Sequence, residues 1–316
     1  MAASNPDCRW IVFCGVHFMA ETADVLANRP EMVQQREGQR VQVVLPDMSA
    51  GCSMADMAAI EQVQAAWDDL GEVIDTEQLI PVTYVNSAAS LKAFCGRHGG
   101  VVCTSSNAMA VMKWAFARGQ RILFFPDQHL GRNTSLQMGI TADQMPVWDP
   151  YDDDLGGNSE QQLQDSKVIL WKGHCSVHQM FKAEHVHQFR ETHPGIKILV
   201  HPECCQEVND LADVSGSTGK IIETVRAAPA GTRWAIGTEL HLVNRLKQEH
   251  PEQEIHFLSS VVCMCATMYR IDQAHLCWSL ENLAAGTPVN VIQVDEETSR
   301  WSLAVSYTHL RAHETD

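Results

Sequence analysis

Three cysteines, Cys52, Cys175 and Cys265, occupy the same place in three related stretches of this chain. The runs VQVVLPDMSAGCSM, VILWKGHCSV and IHFLSSVVCMC each carry an apolar, strand-like segment into a thiol. Deprotonated thiols are metal ligands, and three of them around one point leave a coordination position open for substrate chemistry. The stretches belong to longer copies of one unit. IVFCGVHFMAETA begins at Ile11, ILFFPDQHLGRN at Ile122 and WAIGTELHLVNRL at Trp234, each a β-rich run, a turn-like break, then a His opening a helical pattern. Equivalent positions in three units predict pseudo-threefold packing with the sulfurs converging on the axis. The simpler alternative is that these cysteines are small buried apolar side chains.

Composition narrows the setting. The chain has 316 residues, is 45% hydrophobic and contains eleven cysteines. That length can bury a large core and favours two or three domains. A formal charge of −16, from 23 Lys and Arg against 39 Asp and Glu, argues against a nucleic-acid partner. No apolar stretch approaches the length of a membrane span. The opening residues MAASNPDCRW lack a basic segment followed by an apolar one, so a cytoplasmic protein without a secretory signal is expected. In a reducing compartment its thiols are buried, metal-bound or catalytic rather than disulfide-paired. No CxxC pair occurs; the tight groups are Cys204-Cys205 and Cys263-Met264-Cys265.

These side chains need elements to hold them. β-Rich runs at 9–14, 41–46, 81–86, 100–103, 121–126, 167–171, 196–201, 233–237, 255–262 and 290–294 alternate with helical patterns at 54–69, 107–118, 177–192, 219–227 and 238–249. The fold class expected is α/β, as three similar three-layer α/β/α domains with parallel sheets around a pseudo-threefold axis. Their bounds fall at 1–56, 57–176 and 177–266, with 267–305 packing back on the first domain.

GGVVCTSSNAMAVMKWA and LADVSGSTGKIIETVRA repeat one device: a strand ends, a Ser/Thr cluster follows and a helix begins. PVTYVNS and IKILVHPEC are strands with polar groups at the carboxyl end. Parallel α/β sheets bind ligands at that end. Tyr84, Asn86, Ser105, His201, Glu203 and Thr218 are therefore the candidate cavity residues. The Ser/Thr clusters also serve as helix caps. Tyr84 and Trp114 could equally be core aromatics. His129, His178 and His241 are read as structural histidines, and Asp127 and Glu239 as support behind the site or between domains. Asp152, Asp153 and Asp154 read as a solvated loop, as do the insertions 27–40 and 133–165. Cys263 is read as packed, with a redox role as the alternative.

Units two and three each show four strand positions; the first shows only the two at 9–14 and 41–46. The expectation is a first domain whose N-terminal part lies outside this chain. The stretch SYTHLRAHETD, 306–316, has no amphipathic pattern, looks like translated sequencing adapter and is expected to be foreign to the fold.

Nine motifs now stand in order between about residue 11 and about residue 300: GVHFMAETADVL, VVLPDMSAGCSMAD, TYVNSAASLKA, CTSSNA, FFPDQHLGRN, VHPE, GSTGKII, IGTE and CATMYRIDQAHLCWSLENLAAG. On these the chain resembles the quinolinate synthase family, iron–sulfur enzymes of NAD biosynthesis. The resemblance implies three α/β/α domains around one [4Fe-4S] cluster, with Cys52, Cys175 and Cys265 as ligands and one iron left open. It implies condensation of iminoaspartate with dihydroxyacetone phosphate, giving quinolinate, phosphate and two waters. Tyr84, His201 and Glu203 would be catalytic, and Tyr84, Asn86, Ser105, His201, Glu203 and Thr218 would bind substrate. The implied partners are those two small molecules, with a functional link to L-aspartate oxidase or aspartate dehydrogenase and none to nucleic acid or membrane. The family also draws a His, a Tyr and a Ser from a region before residue 11 that has no counterpart here. The cavity is thus expected to lack one wall, and the alternative implied is a catalytically dead iron–sulfur-binding member.

Overall fold

The computed structural model describes residues 5–261 and 265–311, with side chains through Val305. Cys263 lies outside the described residues. Near the N-terminus, β1 (Trp10–Val12), α1 (His17–Ala27), α2 (Pro30–Gln35) and β2 (Gln42–Val44) form the first group. The segment 27–40, read as a loop, thus contains a short helix with Pro30 in its first turn, where the missing N–H costs nothing.

The second group is α3 (Ile60–Val73), β3 (Leu79–Tyr84), α4 (Ala89–Arg97), β4 (Val101–Cys103), α5 (Ala108–Phe116), β5 (Arg121–Phe125), α6 (Gln128–Gln137), β6 (Val147–Trp148), α7 (Glu160–Asp165) and β7 (Val168–Trp171). Its sheet is parallel throughout, in the order β4-β3-β5-β7-β6. The central strands LIPVTY, RILFF and VILW are near-continuous apolar runs because both faces are covered. Alternate residues divide between the faces. Leu123, Phe125, Ile169 and Trp171 pack with Leu70 of α3 and Phe94 of α4, whereas Ile122, Phe124, Val168 and Leu170 pack with Val111 of α5 and Leu130 of α6.

The third group is α8 (Ser176–Gln179), α9 (Ala183–Thr192), β8 (Lys197–Val200), α10 (Gln206–Leu211), β9 (Val214–Ser215), α11 (Thr218–Ala227), β10 (Arg233–Gly237), α12 (Leu240–Glu249) and β11 (Glu254–Phe257). Its sheet, β11-β10-β8-β9, is also parallel. Ile198, Val200 and Ala235 meet Val186 of α9 and Val208 of α10, while Leu199, Trp234 and Ile236 meet α11 and α12 through Ile221, Val225, Val243 and Leu246. The helical pattern over 177–192 is broken in two, because Phe181 turns into this core and Lys182 is extended.

Last come α13 (Gln273–Ala284), β12 (Val291–Ile292) and α14 (Glu296–Arg311). β12 returns to the first group and pairs antiparallel with β2, completing a three-stranded sheet in the order β1-β2-β12. α14 runs on through 306–311, the stretch set aside on sequence, since backbone hydrogen bonding requires no amphipathic pattern. Among the described residues no helix is long and apolar enough to cross a membrane.

Named contacts lock the groups together. Glu21 of α1 accepts the Ala89 N–H at the start of α4 (2.9 Å). Lys92, buried in α4, donates to Thr22 Oγ1 (3.0 Å) and to the Ser87 carbonyl (2.8 Å). Asn133 of α6 donates to the carbonyls of Pro202 and Cys204, both at 2.8 Å, and so holds the turn after β8. The segment 133–165 is accordingly no plain surface loop: it completes α6 with Asn133, Thr134 and Ser135 buried, and adds β6 and α7. The Asn-Thr-Ser run is a poor helix former, and its hydroxyls bond back to Leu130 and Gly131 carbonyls at 2.7 Å.

Two outcomes are expected from these seams. A Cβ on Gly96 of α4 would stand 2.4 Å from the Trp301 carbonyl oxygen of α14. Gly96→Ala should therefore cost about 1–3 kcal/mol in urea unfolding and speed amide exchange along α14. Asn133→Ala takes the donor from the buried Pro202 carbonyl and leaves the Cys204 carbonyl to Asn209 Nδ2 alone (2.7 Å), and should cost about 1–3 kcal/mol. A loss within about 0.5 kcal/mol would show that Asn133 does not hold the two sheets together.

Candidate active site

The carboxyl ends of the second and third sheets meet, and the turns there carry the chemistry. β3 ends on Tyr84, whose ring is buried against Met54, Val82 and Cys103. The turn behind it is fixed by Thr83 Oγ1 donating to Ser87 Oγ (2.9 Å), which donates to the Tyr84 carbonyl (2.7 Å). β4 ends at Cys103, and Ser105 follows in a turn held by Asn107 Oδ1, which accepts from Thr104 N–H (2.7 Å) and Oγ1 (2.9 Å). Ser105 and Glu203 both lie close enough to the Tyr84 phenol to act on its ionisation. Burial, reinforced by the Glu203 charge, raises that phenol well above its usual range.

Glu203 is the hub. It lies in the turn after β8, 3% exposed, with its N–H directed at His201 Nδ1 (3.3 Å). His178 Nδ1 lies 2.9 Å from Glu203 Oε2, and its Nε2 lies 3.4 Å from Thr238 Oγ1 after β10. The His178 and His201 rings stack, with centroids 4.7 Å apart and planes inclined by 17°. Burial opposes the Glu203 charge, but the two imidazoles and the hydrogen bonds from His178 and Tyr84 outweigh it and hold the carboxyl low. Burial also pushes His201 down to about 4, so its ring is neutral at physiological pH. Asp127, wholly buried at the start of α6, accepts the Leu130 N–H through Oδ1 (2.7 Å). Its Oδ2 has no hydrogen-bond partner among the described residues. Burial and the Glu203 charge raise the Asp127 carboxyl well above its usual range.

The thiols border this cluster. Cys52 follows β2, near the backbone N–H groups of Met54 and Ala55, which favour its thiolate. Cys175 takes the N-cap position of α8 without a side-chain capping bond, and the nearby N–H groups of His178 and Val177 favour its thiolate. Gly173 lets that turn close on the second sheet: a Cβ there would stand 2.2 Å from the Pro126 carbonyl oxygen. Cys265 Sγ lies 3.4 Å from Thr267 Oγ1 and close enough to Cys52 for their charges to interact. Cys52 and Cys175 both feel the charge of Glu203. All three are free and half-buried.

This donor set fits a metal cluster. Burial pushes the Cys52 thiol up to about 11, and the Cys175 thiol further, with Glu203 adding to both. Such groups become thiolates only beside a cation that replaces their protons. Cys175, His178 and Glu203 place their ligand atoms within 4.8 Å of one another, a grouping suited to one ion. Cys204 turns its sulfur to the Gly237 carbonyl instead.

Of the residues singled out on sequence, Tyr84, Ser105, His201, Glu203, Cys52, Cys175 and Cys265 gather here. Asn86 is half-buried two residues beyond β3. Thr218 is exposed at the first position of α11, behind the Ser217 cap, and makes no contact with the Glu203 cluster among those described. His178, read as a structural histidine, is hydrogen-bonded to Glu203 and so belongs to this cluster; it lies three residues after Cys175, the N-cap of α8. His129 pairs with Gln179 (2.7 Å) and His241 packs on Tyr269, both away from Glu203.

Comparison with known proteins agrees with this architecture. The family model for Quinolinate synthetase A protein matches residues 1–306. A quinolinate synthase of Rhodopirellula baltica is 76% identical over 303 residues, covering 96% of this chain and 77% of the relative. One from a Nocardioides species is 54% identical over 309 residues, covering 96% and 76%. One from Bacillus cereus is 51% identical over 299 residues, covering 95% and 78%. With near-complete coverage at such identity, and with the paired sheets and their thiol-bordered carboxylate, the chain belongs to the quinolinate synthetase A family.

Proposed function

We propose that the chain is a quinolinate synthase, condensing iminoaspartate with dihydroxyacetone phosphate to quinolinate, inorganic phosphate and two waters on the route to NAD. The observation that carries this reading is the buried Glu203–His178 pair, 2.9 Å apart, with the Tyr84 phenol beside it and three free thiols at its border. Family membership supplies the reaction, and the cluster supplies groups able to run it. A [4Fe-4S] cluster on Cys52, Cys175 and Cys265 would supply an open iron that polarises a substrate oxygen or nitrogen.

The protein's own groups do the proton work. Ionised Glu203 is the base: it is paired with His178, stands beside the Tyr84 phenol and can take a proton from carbon or nitrogen of the condensing substrates. The Tyr84 phenol, held protonated by burial, is the acid and can donate to a departing hydroxyl. Neutral His201 stacks on His178 and can pass a proton in either direction. Ser105 orients the phenol. Asn86 and Thr218 complete substrate recognition, with Thr218 offering the N-terminus of α11 to phosphate or carboxylate. We place this enzyme in the cytoplasm, fed with iminoaspartate by an L-aspartate oxidase or aspartate dehydrogenase.

A second reading, an iron–sulfur-binding member without turnover, is favoured by one observation. The first sheet draws only β1 and β2 from its own unit and borrows β12, whereas the others have five and four strands. Anaerobically reconstituted protein given both substrates separates the two. Quinolinate should accumulate, and Tyr84→Phe and Glu203→Gln should each lower kcat about 100-fold or more with iron content unchanged. A full cluster with no quinolinate would support the second reading. Wild-type turnover in both variants would remove Tyr84 and Glu203 from the chemistry.

A further inference from the structure

Away from the active site, at the opposite end of the third sheet, three side chains with metal-binding donors meet. They are His193, which closes α9, and Glu254 and His256 on β11. One ligand atom from each lies within 4.8 Å of the other two. We infer that His193, Glu254 and His256 form a second metal site, for a divalent transition ion of the zinc class. The site is independent of the reaction proposed above.

Positioning comes from the fold. Glu254 and His256 are two residues apart on one strand and so project from the same face. β11 is an edge strand, paired with β10 alone. Phe189 of α9 packs on both rings, 5.5 Å from His193 and 5.7 Å from His256, and the two imidazole centroids stand 4.9 Å apart. Two imidazoles and one carboxylate, with a fourth position left to water, is a donor set that zinc accepts.

The hydrogen bonds around the site set the ligands in the state an ion needs. Thr192 Oγ1 donates its one proton to the Gln188 carbonyl (2.7 Å). The same oxygen lies 2.8 Å from His193 Nδ1, so there it can only accept. Nδ1 therefore carries the His193 proton, and Nε2 keeps its lone pair for a metal. Glu254 Oε2 takes the Arg233 Nε–H (3.0 Å), and Arg233 is itself fixed by Nη1 donating to the Pro194 carbonyl (3.0 Å). Glu254 Oε1 is then left facing His256 Nε2 at 2.7 Å, a hydrogen bond. An ion entering there displaces the shared proton and opens the pair to roughly 3.4 Å, the separation that bonds of about 2.1 Å at a tetrahedral angle give. The bound ion would tie the end of α9 to an otherwise unprotected strand edge.

The test uses anaerobically reconstituted holoprotein, so that the cysteines near Glu203 are engaged, dialysed against micromolar free zinc with zinc and iron counted. We expect about one zinc per chain, and at least about tenfold weaker binding in His256→Gln and in Glu254→Gln, with iron unchanged in all three. Glu254 is exposed, so its variant should keep the fold, which circular dichroism checks. With cobalt(II) as the probe, the visible spectrum should show ligand-field bands without thiolate charge transfer. No zinc on the wild type, equal binding by both variants, or intense thiolate-to-cobalt absorption would each overturn the site.

Discussion

A carboxylate sealed from water stays ionised only if donors reach it, and the donors that reach Glu203 come from different parts of the chain. His178 reaches it from α8 at 2.9 Å, the Tyr84 phenol stands beside it at the end of β3, and the Glu203 N–H meets His201 in its own turn. Without His178 the carboxylate would be buried with no hydrogen-bonded side-chain partner among the described residues. The seam contacts serve the same constraint. Asn133 grips the carbonyls on either side of Glu203, and the Thr83–Ser87 pair fixes the backbone at Tyr84. Gly173 allows the Cys175 turn to close against Pro126. Each is a buried polar or close-packed feature whose partner lies in a different element.

The same buried charge shapes the thiols. A low-dielectric site holding one carboxylate resists further anions, so Cys52 and Cys175 are poor acids by themselves. Nearby backbone N–H groups partly offset this. An arrangement unfavourable to bare thiolates becomes favourable once several positive charges sit between them. The raised Asp127 carboxyl follows the same rule, since burial and the Glu203 charge both disfavour a second carboxylate there.

Much of this was legible from residues in order. Strands such as RILFF and VILW announced parallel sheets covered on both faces, and polar residues just past them, in TYVN and HPE, marked the cavity side. What could not be read depended on partners distant in the chain. His178 looks like any helical histidine until Glu203, 25 residues later, folds against it. Asn133 opens a stretch rich in poor helix formers, and only its bonds to Pro202 and Cys204 reveal a buried clamp. The two-residue strands β6 and β9 carry too little pattern to be seen without their neighbours. Thr218 shows the converse: a capping pattern placed it at a strand's carboxyl end, yet its side chain is exposed.

The central claim is that Cys52, Cys175 and Cys265 share one centre beside Glu203. Its most direct test is iron and sulfide analysis after anaerobic reconstitution of the wild type and of single cysteine variants. The account predicts about four iron and four sulfide per chain in the wild type, in Cys95→Ala and in Cys277→Ala, and loss of the cluster in Cys52→Ala, Cys175→Ala and Cys265→Ala. A full complement of iron and sulfide in Cys175→Ala would contradict it.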